Sequence, residues 1–141
     1  MSNLIRFGVS IEQDLSVKFD QLISKRGYAT RSEALRDLIR EALIQQKIEF
    51  DSQIEALGSL TIIYDHHASN LLQEMANIQH NHHQLILSVM HLHVNHDDCM
   101  EIIALNGKVE KITQLANELV SLKGIKNGKL FLTLPSSDIT N

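Results

Sequence analysis

Residues 4–11, LIRFGVSI, set Ile5, Phe7, Val9 and Ile11 on one side of the chain and Arg6, Gly8 and Ser10 on the other. A period of two is that of a β-strand with one buried face. From Asp14 the period changes: Leu15, Phe19, Leu22 and Ile23 share one helical stripe, and Gly27 can close it with a left-handed cap. TRSE then fits a capping box, with Thr30 as N-cap and Glu33 reaching back, before a second helix through Ala34, Leu35, Leu38, Ile39, Ala42 and Leu43. One strand and two short helices cannot bury these faces alone, because a lone strand has two unpaired edges. The pattern predicts a dimer: two copies of the strand pair as an antiparallel ribbon, and their helices enclose a shared core.

The helical stripe degrades over residues 45–57, which predicts a boundary that divides the chain into residues 1–50 and 51–141. Charge divides in a similar way. Residues 1–47 carry eight Lys and Arg against six Asp and Glu, and residues 48–141 carry five against eleven. The net charge of −4 argues against wholesale nucleic-acid binding, yet the first segment alone is positive. Two segments with different electrostatic roles are the simplest reading.

The second segment alternates strands and helices. SLTIIYD reads as a strand, ASNLLQEMANIQH as a helix, LILSVMHLHV as a strand, and NHDD as a turn. CMEIIALNG is again a strand, VEKITQLANELVSLKG a helix closed by Gly124, and GKLFLTL a last strand ending at Pro135. This βαββαβ order is the ferredoxin-like pattern, and the fold class expected for the whole chain is α+β. No apolar run reaches the roughly 18 residues of a membrane span, and the N-terminus lacks a signal-peptide layout. No membrane partner and a cytoplasmic location are expected.

HLHVNHDDC, residues 91–99, concentrates three histidines and the single cysteine of the chain. On a strand, His91 and His93 point to the same face, about 7 Å apart, and can converge on one ion. Cys99 follows the turn and can sit across the hairpin from His93. A single cysteine makes no internal disulfide, so Cys99 is a buried apolar residue, a ligand or a nucleophile. Asp97 and Asp98 read as turn formers, and His96 as solvent-facing. Three ligands leave a vacancy for which the nearest candidates are His80, His82 and His83 in QHNHH, which end the preceding helix. That end need not lie beside the turn in its own subunit, and a ligand from a neighbouring chain would make the metal a cross-subunit staple. Mixed imidazole and thiolate ligands suit Zn(II), Cu or Ni(II).

QHNHH and HLHVNHDDC, together with RFGVSIEQDL and RGYATRSEALRDLIREAL, resemble the nickel-responsive transcriptional regulator family (NikR) over nearly the whole chain. The resemblance implies an N-terminal ribbon-helix-helix domain, an intertwined dimer, followed by an ACT-like domain that tetramerises as a dimer of dimers. It implies one Ni(II) per subunit in square-planar geometry, held by His91, His93 and Cys99 of one chain and His80 of another. It also implies a palindromic DNA operator read by Arg6, Gly8 and Ser10, with repression of nickel uptake genes when the metal is bound. Gly8 departs from the family's side-chain-bearing residue. Arg31, at the start of the second helix, is placed to meet a phosphate. Glu33 and Asp37 match acidic positions that in the family can help hold a secondary hard cation; the alternative is a capping box plus an exposed acid beside Arg36 and Arg40. YDHH, residues 64–67, reads as a strand end or a second metal site under excess metal.

Readings from other classes are a ribbon-helix-helix regulator sensing another metal or an amino acid, and a His/Cys metalloenzyme with water in a fourth position. An enzyme is not the expected one.

Overall fold

The computed structural model describes residues 3–136 of the chain. It separates into two compact units, Met1–Glu41 and Ala42–Asn141.

In the first unit α1 spans Gln13–Lys25 and α2 begins at Arg31, running on to Phe50. The turn between them is a Schellman motif. Gly27, at φ +81°, occupies the left-handed position, the Tyr28 N–H donates to the Ile23 carbonyl at 3.0 Å, and the Gly27 N–H donates to that of Ser24 at 3.1 Å. Thr30 caps α2 as expected, its Oγ1 accepting the Glu33 N–H at 3.2 Å.

Residues 3–12 form no strand in the single chain. The strand expected over residues 4–11 has no second strand to pair with, so its alternation is present without a ladder. Phe7 is 68 % exposed, and Leu4, Ile5, Val9 and Ile11 are exposed with it. Phe7, Val9 and Ile11 border an apolar cleft of about 900 Å³ whose lining also includes Leu15, Phe19 and Leu38. Only Ile23 and Ala34 are buried in the two helices of this unit. Each large side chain left in water forgoes about 1.5–3 kcal/mol of burial.

The second unit has the βαββαβ order. Its elements are β1 (Glu55–Asp65), α3 (Leu71–Asn81), β2 (Ile86–His93), β3 (Asp98–Lys108), α4 (Val109–Val120) and β4 (Ile125–Thr133). The sheet order is β2-β3-β1-β4, with every neighbouring pair antiparallel. Burial alternates along the two central strands: Ala56, Leu60, Ile62 and Tyr64 on β1, and Cys99, Glu101, Ile103 and Leu105 on β3, lie on the covered face. Leu71 and Met75 of α3 and Val109, Ile112, Leu115, Ala116 and Leu119 of α4 complete that core. Ile44 and Ile48, from the end of α2, pack against it, which is why the helix continues where its own stripe weakens. The other sheet face exposes Met90, Leu92 and Phe131. Gly124, at φ +99°, follows α4; a Cβ there would come within 2.7 Å of the Ala68 Cβ.

Candidate metal centre

The site is assembled by register. β2 and β3 pair His93 with Cys99 and His91 with Glu101, while β1 pairs Tyr64 with Cys99 and Asp65 with Asp98. Cross-strand partners share a face. Tyr64, His91, His93, Cys99 and Glu101 therefore all face the helical side, with β2 at the sheet edge and Cys99 one strand in.

The turn between β2 and β3 is fixed by side chains. Asn95 Oδ1 accepts the N–H groups of Asp97 and Asp98, both at 2.9 Å, and Asn95 Nδ2 donates to Asp98 at 3.2 Å. Lys126 Nζ donates to Asp98 Oδ1 at 2.6 Å. The bond from Lys126, with that from Asn95, holds the Asp98 carboxyl below its ordinary range, and the same bond raises Lys126. Asp98 is thus a turn former, as its position predicts.

Cys99 is fully buried. Its Sγ lies 3.4 Å from His93 Nδ1 and 3.3 Å from His66 Nδ1. A first-row ion bonded at about 2.3 Å to sulfur and about 2.0 Å to nitrogen separates those two ligands by about 3.0 Å at a right angle and about 3.5 Å at a tetrahedral one. The donors already stand at the spacing of neighbours in one coordination sphere. His66, His93 and Cys99 each offer a ligand atom within 4.8 Å of the other two.

His91 lies beside this group, its ring centroid 5.2 Å from that of His93. Its Nδ1 is 2.8 Å from the Tyr64 hydroxyl. Burial first, then the neighbouring Glu101 and Cys99, push the Tyr64 pKa well up, so the phenol keeps its proton. One residue along β3 from Met100, the buried Glu101 carboxylate accepts the Gln79 amide at 2.9 Å, joining α3 to the same strand.

Of the expected ligands, the single chain brings His93 and Cys99 together and sets His91 next to them. His80 lies apart, exposed near the end of α3, with its ring 6.1 Å from that of His83. His82 faces Glu118 at 3.2 Å. His66 is the residue whose proximity to Cys99 the sequence reading did not specify. The available signal was the histidine pair directly after a β-branched run, and the missing information was the β1–β3 register.

On the first unit, Arg6, Gly8 and Ser10 lie in the exposed extended segment, and a Cβ added at Gly8 would meet nothing within 4 Å. Arg31 is already engaged: Nε and NH2 each donate to Asp20 at 2.7 Å, a bond that lowers the Asp20 pKa and raises that of Arg31. Asp37 accepts from Tyr28 at 2.8 Å and Arg40 at 3.1 Å. Glu33 lies one turn before it. Neither acid belongs to a group of three metal-type donors among the described residues.

Residues 57–133 match the family described as the NikR C terminal nickel binding domain, and residues 5–46 match the ribbon-helix-helix proteins of the copG family. A protein of Nitratidesulfovibrio vulgaris (strain DSM 19637 / Miyazaki F), whose name includes the words nickel-responsive regulator, is 49 % identical over 140 residues, spanning 99 % of this chain and 100 % of that one. A Geobacter sulfurreducens protein similarly named is 41 % identical over 139 residues, 99 % of each chain. Among solved structures, an uncharacterized protein from Thermotoga maritima shares the fold at 18 % identity and a TM-score of 0.51, covering 56 % of this chain and 98 % of that one. No helix among the described residues is long and apolar enough to cross a membrane. With a ribbon-helix-helix segment ahead of a βαββαβ domain, and relatives of this identity along its whole length, the chain belongs to the nickel-responsive regulators, a family of transcriptional regulators and not of enzymes.

Proposed function

We propose that the protein is a cytoplasmic, DNA-binding transcriptional regulator that responds to Ni(II), one ion per subunit, and represses nickel uptake genes when the ion is bound. The observation that carries this reading is the buried Cys99 thiol with imidazole nitrogens at 3.3 and 3.4 Å, on strands that need no loop to order. The proposed ligands are His91, His93 and Cys99 of one chain and His80 of the partner subunit. Exposure of His80 on α3 supports a site completed by assembly into a homotetramer, a dimer of dimers. Three imidazoles and a thiolate would suit Ni(II) if held in one plane, and Zn(II) if held in a tetrahedron.

Tyr64 orients His91. For the His91 Nε2 lone pair to face an ion, Nδ1 must carry the proton and donate it to the phenol oxygen, 2.8 Å away. Nickel, when bound, supplies the bond that joins two chains. Whatever factor it gives to DNA affinity, DNA returns to nickel affinity.

In the first unit a second copy of residues 4–11 would pair with the first and cover the cleft lined by Phe7, Val9 and Ile11. The resulting two-fold ribbon presents Arg6, Gly8 and Ser10 to a palindromic operator, Arg6 through its forked donors to guanine and Ser10 to either base type. Gly8 leaves that position without a side-chain contact. Arg31 meets a phosphate once it leaves or shares Asp20. Glu33 and Asp37 are assigned a secondary cation, for which Asp37 must exchange Tyr28 and Arg40.

The contact between His66 and Cys99 favours a second ligand set, His66, His93 and Cys99, for the isolated chain. Nickel titration of His80→Ala and His66→Ala separates the two. Loss of affinity only in His80→Ala supports the shared site; loss only in His66→Ala supports the internal one. The function itself is tested by a gel shift on the DNA upstream of the protein's own gene with and without Ni(II), Zn(II) and Co(II). Equal binding in all conditions, or tight amino-acid binding with no nickel uptake, would overturn it.

A further inference from the structure

The end of α3 is fastened to its own subunit on one side. Gln79 and His82, three residues apart, share a face and are half-buried, whereas His80 and His83 are exposed. Gln79 Nε2 donates to the Glu101 carboxylate of β3 at 2.9 Å, and His82 Nε2 lies 3.2 Å from Glu118 Oε2 of α4. A carboxylate only accepts, so Nε2 of His82 carries the proton of that bond. The inward pair is thus tied to the sheet at one point and to a second helix at the other, and the outward pair stands in solvent.

Glu118 is itself held. Its other oxygen, Oε1, accepts the Gln114 amide at 3.1 Å from one turn earlier on α4. Both carboxylate oxygens are engaged, which fixes the rotamer aimed at α3. The helix it meets needs such support. α3 has 11 residues, and its fully buried side chains, Leu71 and Met75, lie near its start. A helix of that length is marginal alone. Beyond Met75 the apolar anchors are the half-buried Ile78 and then Leu85, past the helix end. The main chain also loosens there, since the His82 N–H is shared between the carbonyls of Ile78 and Gln79, each at 3.2 Å. Between Ile78 and Leu85 the chain is joined to its neighbours through Gln79 and His82.

We propose that Glu118 is a positioning residue: by holding His82 it keeps the last turn of α3 wound, and so fixes where His80 stands. The inference rests on the proposed role of His80 as a ligand to the metal of a partner subunit. A ligand on a turn that frays must be ordered when the ion arrives, and that cost is subtracted from the affinity; a turn already held removes it. Of the three histidines in QHNHH, His82 and His83 each spend a ring nitrogen inside the subunit, on Glu118 and on the His80 carbonyl, the latter at 3.0 Å. His82 serves as the tether and His80 as the outward arm.

The test combines hydrogen exchange of the metal-free full chain with nickel competition against a chelator, for the parent, Glu118→Ala, Glu118→Gln, His80→Ala and Glu118→Ala/His80→Ala. Glu118→Ala is expected to speed exchange of the amides of residues 78–82 severalfold and to weaken nickel binding about 10-fold, the low end for groups that act behind a metal ligand. Glu118→Gln keeps an oxygen acceptor for His82 and should match the parent in both. If Glu118 acts through His80, the double variant binds nickel no more weakly than His80→Ala alone. Parent-like exchange in Glu118→Ala overturns the tether, as does a Glu118→Gln variant that exchanges as fast as Glu118→Ala. A double variant weaker than His80→Ala, or a parent-like nickel affinity in Glu118→Ala while His80→Ala is weakened, overturns the positioning role. Should His80→Ala bind nickel as the parent does, the cross-subunit ligand of the proposed function falls, and the tether is still judged by the exchange rates of the two Glu118 variants.

Discussion

The Tyr64 hydroxyl lies 2.8 Å from Nδ1 of His91, linking a central strand of the sheet to a ring on its edge strand. Tyr64→Phe keeps the ring and removes only that partner. Nickel affinity is expected to fall about 10- to 100-fold, the usual effect of losing a group that orients a metal-binding histidine. Stability should fall by about 1 kcal/mol for the lost hydrogen bond. Competition titration against a chelator and thermal melting read the two effects separately, and unchanged affinity would remove Tyr64 from the site.

Arg31 is paired with Asp20 through two bonds of 2.7 Å in the absence of DNA. Asp20→Asn should release the guanidinium. If Arg31 meets a phosphate, this variant binds DNA more tightly, and Arg31→Ala reduces the slope of log affinity against log salt by about 0.9. An unchanged slope in Arg31→Ala would exclude the phosphate contact.

The Asp98–Lys126 pair predicts a pH dependence of the hairpin turn. The folded pKa of Asp98 is lowered, so its contribution is present above the ordinary carboxylate pKa and is lost as pH falls through the lower folded value. Lys126 is raised, so its contribution is present below the ordinary lysine pKa and is lost as pH rises through the higher folded value. Lys126→Met should melt slightly lower than the parent at neutral pH, and the difference should close in strong acid. Lys126 is exposed and Asp98 half-buried, so solvent screens the pair and the effect is small and salt-sensitive. A neutral-pH melting temperature equal to the parent's would show that the pair contributes nothing.

Phe7→Ser and Ile112→Ala should separate assembly from folding. Phe7 is 68 % exposed in the single chain and Ile112 is fully buried. Ile112→Ala is expected to cost about 2–5 kcal/mol of stability in the second unit. Phe7→Ser should leave the melting of that unit unchanged while reducing the mass measured by sedimentation and abolishing DNA binding. A parent-like mass in Phe7→Ser would argue against the shared ribbon core.

The order of elements in the second unit was legible because Thr61, Ile62 and Ile63, and likewise Ile102 and Ile103, form β-branched runs of strand type between the helical segments. Their ends were less so. β1 begins at Glu55 and not at Ser59, because Ala56 and Gly58, poor strand formers by composition, are needed where the sheet meets its neighbours closely; a Cβ on Gly58 would sit 3.2 Å from Leu132. α3 begins at Leu71 and not at Ala68, since Asn70 takes a left-handed φ of +62° before it. The pairing of His93 with Cys99 followed from a hairpin, which is local. His66 reaches the same sulfur through a contact between residues 33 positions apart, and no periodicity encodes that distance.

Placing the sulfur one strand in from the edge has a chemical consequence for the lifetime of the protein. Thiolates are the ligands most readily lost to peroxide and to electrophiles, and damage beyond the sulfenic acid is not easily reversed. Here the sulfur is fully buried, while His91 and His93, which stand toward solvent, resist such oxidation. The imidazoles thus take the exposed positions and leave the vulnerable atom inside. A probe such as iodoacetamide must open the β2 edge before it can reach Cys99, so alkylation of the metal-free protein reports on how often that edge strand opens.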